Sequence, residues 1–340
     1  GYLILIRTIS FFARNPEVSK MVGKLTPDDI ISASLVPALM GMSPYMSRNE
    51  LLSRCMAARD GTFEDDFTGN EATHWGNTLE PVILEEAAAR LNLTGLNVDF
   101  PNPFFHHDLP LACSLDGSAT TDGRVRIKTD RGAGIYVIGA SEIEHDGPII
   151  IESKLTSGFP EERPPAQRGP LQLQAQMMCT GHTCGVIATL YRGIELRLFV
   201  YGQDVQTQDR IRGAVEDFER RREGPDFYPA ISSADANVAY STVDDDAPEL
   251  DLDESPEVAV ALSDLVAAKR AKKAAESEID ICEALIKEYM GAHKRATGRV
   301  GNHTYSVTWP MRHYKATPEK YVPAKPERSA RQGNLTLKEM

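Results

Sequence analysis

Glu152-Ser153-Lys154 follows directly on the apolar run Ile149-Ile150-Ile151. Side chains two apart on a strand share a face and stand roughly 6–7 Å apart along it. Glu152 and Lys154 are therefore displayed together, while Ile151, Ser153 and Leu155 face the other way. A carboxylate and an ammonium in a central strand are costly unless they pair or bind a metal. Read alone, the tripeptide is a structural ion pair. Two further acids widen that reading. Asp116 is expected to end another strand beside Gly117, and Glu80 stands in Trp75-Gly-Asn-Thr-Leu-Glu-Pro81. Oxygen ligands of this kind suit a hard divalent cation such as Mg2+ or Mn2+. Glu80 has a second reading, because Asn77-x-x-Glu80 fits a helix-capping box with Pro81 in the first turn. Among Gln172, Gln174 and Gln176, positions 172 and 176 share one helical face, which is otherwise simply solvated. Cys179 and Cys184 flank His182, but no second ligand pair of matching spacing supports zinc or an iron–sulfur cluster.

The elements that must hold these groups can be read from periodicity. Residues 25–60 read as helical, starting at Thr26-Pro-Asp-Asp, breaking at Gly41–Pro44 and restarting at the capping box Ser47-Arg-Asn-Glu50. A helix is expected from about Thr78 to Leu91, with Leu79, Val82, Ile83, Ala87 and Leu91 on one face. The period then shortens. Leu109 to Asp116 alternates, and Arg124–Lys128 with Gly134–Ile138 suggests a hairpin turning at Asp130-Arg-Gly. Pro148 to Leu155 reads as a central strand, apolar on both faces in its first half. After a proline-punctuated loop come a helix from about Leu171 to Cys179, strands Gly185–Leu190 and Glu195–Val200, and a helix near Val205–Arg222.

With 340 residues, the chain has room for roughly two domains. We divide it into an N-terminal extension (1–24), a main domain (25–225), an acidic linker (226–256) and an accessory region (257–340) holding a long helix, a small β element and a basic tail. Taken alone, the net charge of −12 argues against a DNA partner, but eight acids and no base fall from Val243 to Glu257. The overall charge therefore says little about any local DNA-binding face. Along the long helix Val258, Leu262, Leu265, Ala268, Lys272, Ala275, Ile279, Cys282, Ile286 and Tyr289 recur with mostly 3-4 spacing, a weak heptad pattern. No apolar window is long enough for a membrane span. The opening apolar run Tyr2–Phe12 is broken by Arg7 and is not read as a signal peptide. Five cysteines without framework spacing read as reduced, cytoplasmic thiols.

Four ordered blocks over about residues 25–215 resemble the YqaJ-type viral recombinases, the lambda-exonuclease-like branch of the PD-(D/E)xK nucleases. They are Ile31-Ser-Ala-Ser34 with Leu39-Met-Gly-Met-Ser-Pro-Tyr45, Trp75–Pro81, Ser114-Leu-Asp-Gly117 with Ile150-Ile-Glu-Ser-Lys154, and Gln172-Leu-Gln174 through Thr180-Gly181. The resemblance implies an α/β, restriction-endonuclease-like core: a mixed central sheet flanked by helices, followed here by the helical and hairpin accessory region. It implies that Asp116, Glu152, Glu80 and the carbonyl of Ser153 bind Mg2+ or Mn2+, that Lys154 orients and deprotonates the attacking water, and that Gln172 contacts the site. Ser34, otherwise a cap, and Gln174 would meet DNA phosphate. The implied activity is Mg2+-dependent 5′→3′ exonuclease digestion of double-stranded DNA ends in phage-type recombination. Implied partners are a single-strand annealing protein and further copies forming a homo-oligomeric ring, in the cytoplasm of a bacterial host. An endonuclease or repair nuclease of the same superfamily is the nearest alternative, and a non-catalytic DNA-binding or scaffold protein is a more distant one. Departures from the pattern are Leu115 in place of the usual proline before Asp116, Gly169 where a tyrosine often stands, and an enlarged insertion over residues 120–147.

Overall fold

A computed structural model describes residues 26–64 and 69–312. The N-terminal extension and the basic tail beyond residue 312 lie outside the described residues. The chain divides into two units, one ending at Tyr240 and the other beginning at Ser241.

In chain order the first unit runs β1 (Ile31–Ser32), α1 (Val36–Leu39), α2 (Arg48–Arg59), α3 (Glu71–Arg90), β2 (Thr94–Asn97), β3 (Phe104–Phe105), β4 (Leu111–Cys113), β5 (Gly117–Thr120) and β6 (Val125–Lys128). It continues through β7 (Ile135–Ile138), β8 (Glu142–His145), β9 (Pro148–Thr156), α4 (Pro170–Thr180), β10 (Cys184–Tyr191), β11 (Glu195–Gly202), α5 (Val205–Glu223) and α6 (Ser233–Ala239). Six strands form the main sheet in the order β2-β5-β9-β10-β11-β7. The pairs β9–β10 and β11–β7 are parallel, and the other three are antiparallel. This is the expected mixed central sheet with helices on both faces.

The alternation of β9 explains its unbroken apolar run. Ile149 and Ile151 pack with Ile83, Leu84 and Ala87 of α3 on one face. Ile150 joins Leu171, Leu173 and Met177 of α4 and Phe218 of α5 on the other. Because both faces are covered, the strand needs side chains of one type in both directions. On this alternation Glu152 and Lys154 fall on the α4 face.

Three local expectations are corrected. Thr26-Pro-Asp-Asp does not start a helix: the chain turns there, and Ile31–Ser32 pairs in parallel with β4. Proline and aspartate favour turns as well as helix starts, and burial of Ile31 in the core decides between them. Glu80 and Pro81 do not open a helix either. The helix begins at Glu71, where Asn70 caps it by accepting from the Thr73 N–H at 3.0 Å, and Pro81 lies in its interior. Finally, the turn at Asp130-Arg-Gly closes with an antiparallel bridge between Asp130 and Ile135, but Arg124–Lys128 and Gly134–Ile138 do not pair as strands. β6 pairs with β8, and β7 crosses to the far edge of the main sheet beside β11. The 120–147 insertion thus supplies the sixth strand.

Gly134 permits that docking. Its φ is +72°, and a Cβ there would lie 2.6 Å from the backbone oxygen of Leu196. A left-handed conformation alone costs a non-glycine residue roughly 1–2 kcal/mol. Gly134→Ala is expected to lower stability by ~2 kcal/mol or more, seen as a lower urea midpoint with an unchanged slope.

The capping box at Ser47 forms as read, with Ser47 Oγ accepting from the Glu50 N–H at 3.0 Å and a Glu50 carboxylate oxygen accepting from the Ser47 N–H at 2.6 Å. Residues 226–240, assigned to the linker on composition, belong to the first unit and contain α6. Buried Asp235 accepts from Ser47 Oγ at 2.5 Å, Asn49 Nδ2 at 3.1 Å and the Ile231 N–H at 2.9 Å. The second unit contains α7 (Pro256–Met290) and an antiparallel hairpin of β12 (Arg295–Val300) and β13 (His303–Thr308).

Candidate active site

Two neighbouring antiparallel strands bring the first acids together. β5 pairs with β9 so that Gly117 stands opposite Ile151. Asp116, one residue before β5, is therefore level with the residues following Ile151. One of its carboxylate oxygens accepts the Ser153 N–H at 2.8 Å. That bond fixes Asp116 to the strand carrying Glu152 and Lys154.

Glu152 is only 2% exposed, and both its oxygens are engaged. Oε1 accepts from Lys154 Nζ at 2.5 Å and from Gln172 Nε2 at 2.6 Å. Oε2 accepts from Gln176 Nε2 at 2.6 Å. Gln172 Oε1 in turn accepts from Lys154 Nζ at 3.1 Å, closing a ring of three side chains. The two glutamines are one helical turn apart on α4 and point at the same carboxylate, so the shared face read from the sequence is a buried, site-facing one.

The electrostatics show a surplus of negative charge. Burial first, then the Glu152 and Glu80 carboxylates, hold the Asp116 carboxyl well above the usual carboxylate range, against the opposing pull of Lys154 and the Ser153 N–H. Burial and Glu152 likewise push the Glu80 carboxyl up, with Lys154 opposing. Burial alone would lower the Lys154 ammonium, but Glu152 and Asp116 outweigh it and raise its pKa. Three carboxylates thus act on one another beside a single ammonium.

An all-oxygen set with unbalanced negative charge matches the chemistry of a hard divalent cation. Gln176 Oε1 adds a buried acceptor without a hydrogen-bond partner in the structure. The carboxylates are not, however, set out as a finished cage: among the described residues no three acidic, histidine or cysteine side chains stand as a ready metal site. The Glu152 oxygens are spent on Lys154, Gln172 and Gln176, so the expected convergence is electrostatic here rather than a ligand geometry.

The other candidates lie elsewhere. Gln174 is 3% exposed and faces away from the carboxylates: it donates to the Gly202 carbonyl at 2.9 Å and accepts from the Asp204 N–H at 2.9 Å. It ties α4 to the start of α5, and a side chain so buried and so bonded does not reach DNA phosphate. Ser34 is exposed on the short turn Ala33–Leu35, its hydroxyl 3.0 Å from that of Ser32.

Gln176 is the residue that sequence reasoning passed over. Its amide bridges Glu152 and the Ser114 carbonyl, the latter at 3.2 Å, so it joins β9 to the segment leading into Asp116. The signal was its four-residue spacing from Gln172. Gln176→Leu removes the buried donor to Glu152, and leaving such a group unsatisfied costs about 1–3 kcal/mol. A fall in stability of that size is expected by urea unfolding, larger than for Gln172→Leu, which takes away a donor from the half-buried side.

Residues 26–183 match the sequence model of the YqaJ-like viral recombinase domain. No curated protein matches the chain. Among solved structures, the alkaline exonuclease LHK-Exo from Laribacter hongkongensis is 16% identical with a TM-score of 0.42, covering 58% of this chain and 90% of that one. The same enzyme in complex with dAMP gives 18% identity over the same shares at a TM-score of 0.42. A phage-related exonuclease from Haemophilus somnus 129PT is 12% identical with a TM-score of 0.37, covering 58% and 94%.

Proposed function

Taking residues 26–183 as a YqaJ-like viral recombinase domain, we propose that the chain is a divalent-metal-dependent DNA exonuclease of phage-type recombination, digesting linear duplex in the 5′→3′ direction. The observation that carries this reading is the cluster of Asp116, Glu152 and Glu80 around Lys154, with Ser153 hydrogen-bonded to Asp116.

A phosphodiester is anionic and repels hydroxide. A divalent cation bound there supplies charge neutralisation at the phosphate and acidifies water. Asp116, Glu152, Glu80 and the Ser153 carbonyl are the groups that would hold it. Lys154, now paired with Glu152 Oε1, is the ammonium that would stand beside the attacking water. Lys154 then adds positive charge where the nucleophile forms. Gln172 and Gln176 keep the Glu152 carboxylate oriented throughout, since α4 fixes both amides. Ser34, exposed, is left as a phosphate contact, and Gln174 is not.

The test is end-labelled linear duplex incubated with and without Mg2+, alongside a covalently closed circle. The reading expects release of nucleotides from 5′ ends with the cation only and an intact circle. Cutting of the circle would instead mark an endonuclease, and binding without hydrolysis would mark a scaffold.

A further inference from the structure

We propose that α7 is a self-association element that pairs antiparallel with α7 of a second copy of this chain, about a two-fold axis near Ala275. The helix has 35 residues and Met290 is its single buried residue. Val260, Ile279, Ile281, Leu285, Ile286 and Tyr289 are all exposed. Helices in proteins gain most of their stability from packing an apolar face, and among the described residues this one buries almost none of it.

The order of residue types along α7 says what covers it. Leu262, Leu265 and Val266 come first. Lys269, Arg270, Lys272 and Lys273 follow, with no acid between residues 265 and 275. Next come Glu276, Glu278, Asp280 and Glu283, with no base between residues 274 and 286, and then Leu285, Ile286 and Tyr289. Turned end for end about Ala275, the helix presents its basic block to the partner's acidic block and its first apolar group to the partner's last one. The same exchange occurs on the other side of the axis, as a two-fold contact requires. A parallel second copy would set base against base and acid against acid, and like charges in register cost stability. A partner of unrelated sequence has no reason to match this mirror order. Charges at the centre and apolar groups at the ends fix both register and direction.

Two labelled variants of the full chain test this, in a background without the accessible thiols (Cys179→Ser, Cys282→Ser). A nitroxide at Ser277→Cys sits beside the axis, and one at Ser263→Cys sits far from it. At 1.5 Å of rise per residue, the antiparallel pair places the two 263 labels about 35 Å apart and the two 277 labels within about 15 Å. Short distances at both positions, or no coupling between chains at either, would overturn the proposal. A charge variant, Glu276→Lys with Glu278→Lys, Asp280→Lys and Glu283→Lys, is expected to weaken association at least tenfold. Mixing it with the reciprocal variant (Lys269, Arg270, Lys272 and Lys273 to Glu) should restore the coupling. Unchanged association of the first variant alone, or no recovery on mixing while circular dichroism shows both helical, would refute it.

Discussion

Glu152→Ala and Lys154→Ala each reduce Mg2+-dependent digestion of linear duplex by about a thousandfold or more, measured as initial rate per folded molecule. The two losses have different origins. Glu152 is the hub of the site, accepting from Lys154, Gln172 and Gln176. Its removal leaves two amides and an ammonium without their common acceptor, so stability falls with activity, by about 1–3 kcal/mol for an unsatisfied buried donor. Glu152→Gln keeps the shape and recovers part of that stability without recovering the rate. Lys154 is half-buried, and Glu152 and Asp116 raise its pKa. Its removal takes away the ammonium that opposes Asp116, Glu152 and Glu80, and added Mg2+ should then raise the melting temperature of Lys154→Ala more than that of the wild type. Wild-type-like digestion in either variant would refute the assignment of these groups.

Asp116→Asn is expected to be inactive and yet more stable than the wild type at neutral pH. The Asp116 carboxyl is held above its ordinary range by burial and by Glu152 and Glu80. A raised native value means that the folded state binds this proton more tightly than the unfolded one. Stability is then full below the unfolded pKa of about 3.9 and is lost as pH rises through the native value. By neutral pH stability has been lost on this account, whereas asparagine is neutral at every pH and its carbonyl can still accept the Ser153 N–H. For a unit of this size, each kcal/mol relieved shifts the midpoint by roughly 2–4 °C. Thermal unfolding followed from pH 4 to pH 8 checks the sign: the wild type should fall relative to Asp116→Asn as pH rises. Mg2+ should narrow the gap by stabilising the wild type alone. A variant less stable than the wild type throughout would show that the carboxylate is stabilised, not strained, in the free protein.

Much of the site was legible because its parts obey local rules. The apolar run before Glu152 marked a strand covered on both faces, and period two placed Glu152 and Lys154 on one side. Gln172 and Gln176 share a face by helical spacing alone. What the sequence could not disclose was which neighbour each face would meet. Gln174 and Gln176 have the same side chain two positions apart, but one turns to β11 and α5 and the other to Glu152. Only the packing of α4 on the sheet distinguishes them. The start of α3 was misplaced because Pro81 imitates a first-turn proline, whereas Asn70 is the cap. The path of residues 120–147 was hidden for a different reason. β7 answers to β11, a strand some sixty positions later, and no local pattern encodes a partner at that distance.

That late partner has a bearing on how the chain acquires its shape during synthesis. β5 and β9 are neighbours in the sheet, but the segment between them must travel to the opposite margin and wait for residues 198–201. Assembly by zipping successive hairpins is therefore closed to this topology, and contacts of such long sequence separation form slowly. A ribosome-bound chain that stops short of Glu195 holds Glu152 and Lys154 already translated but on a sheet without β11 and with β7 unpaired. The proposed catalytic groups thus emerge well before the framework that orders them is complete.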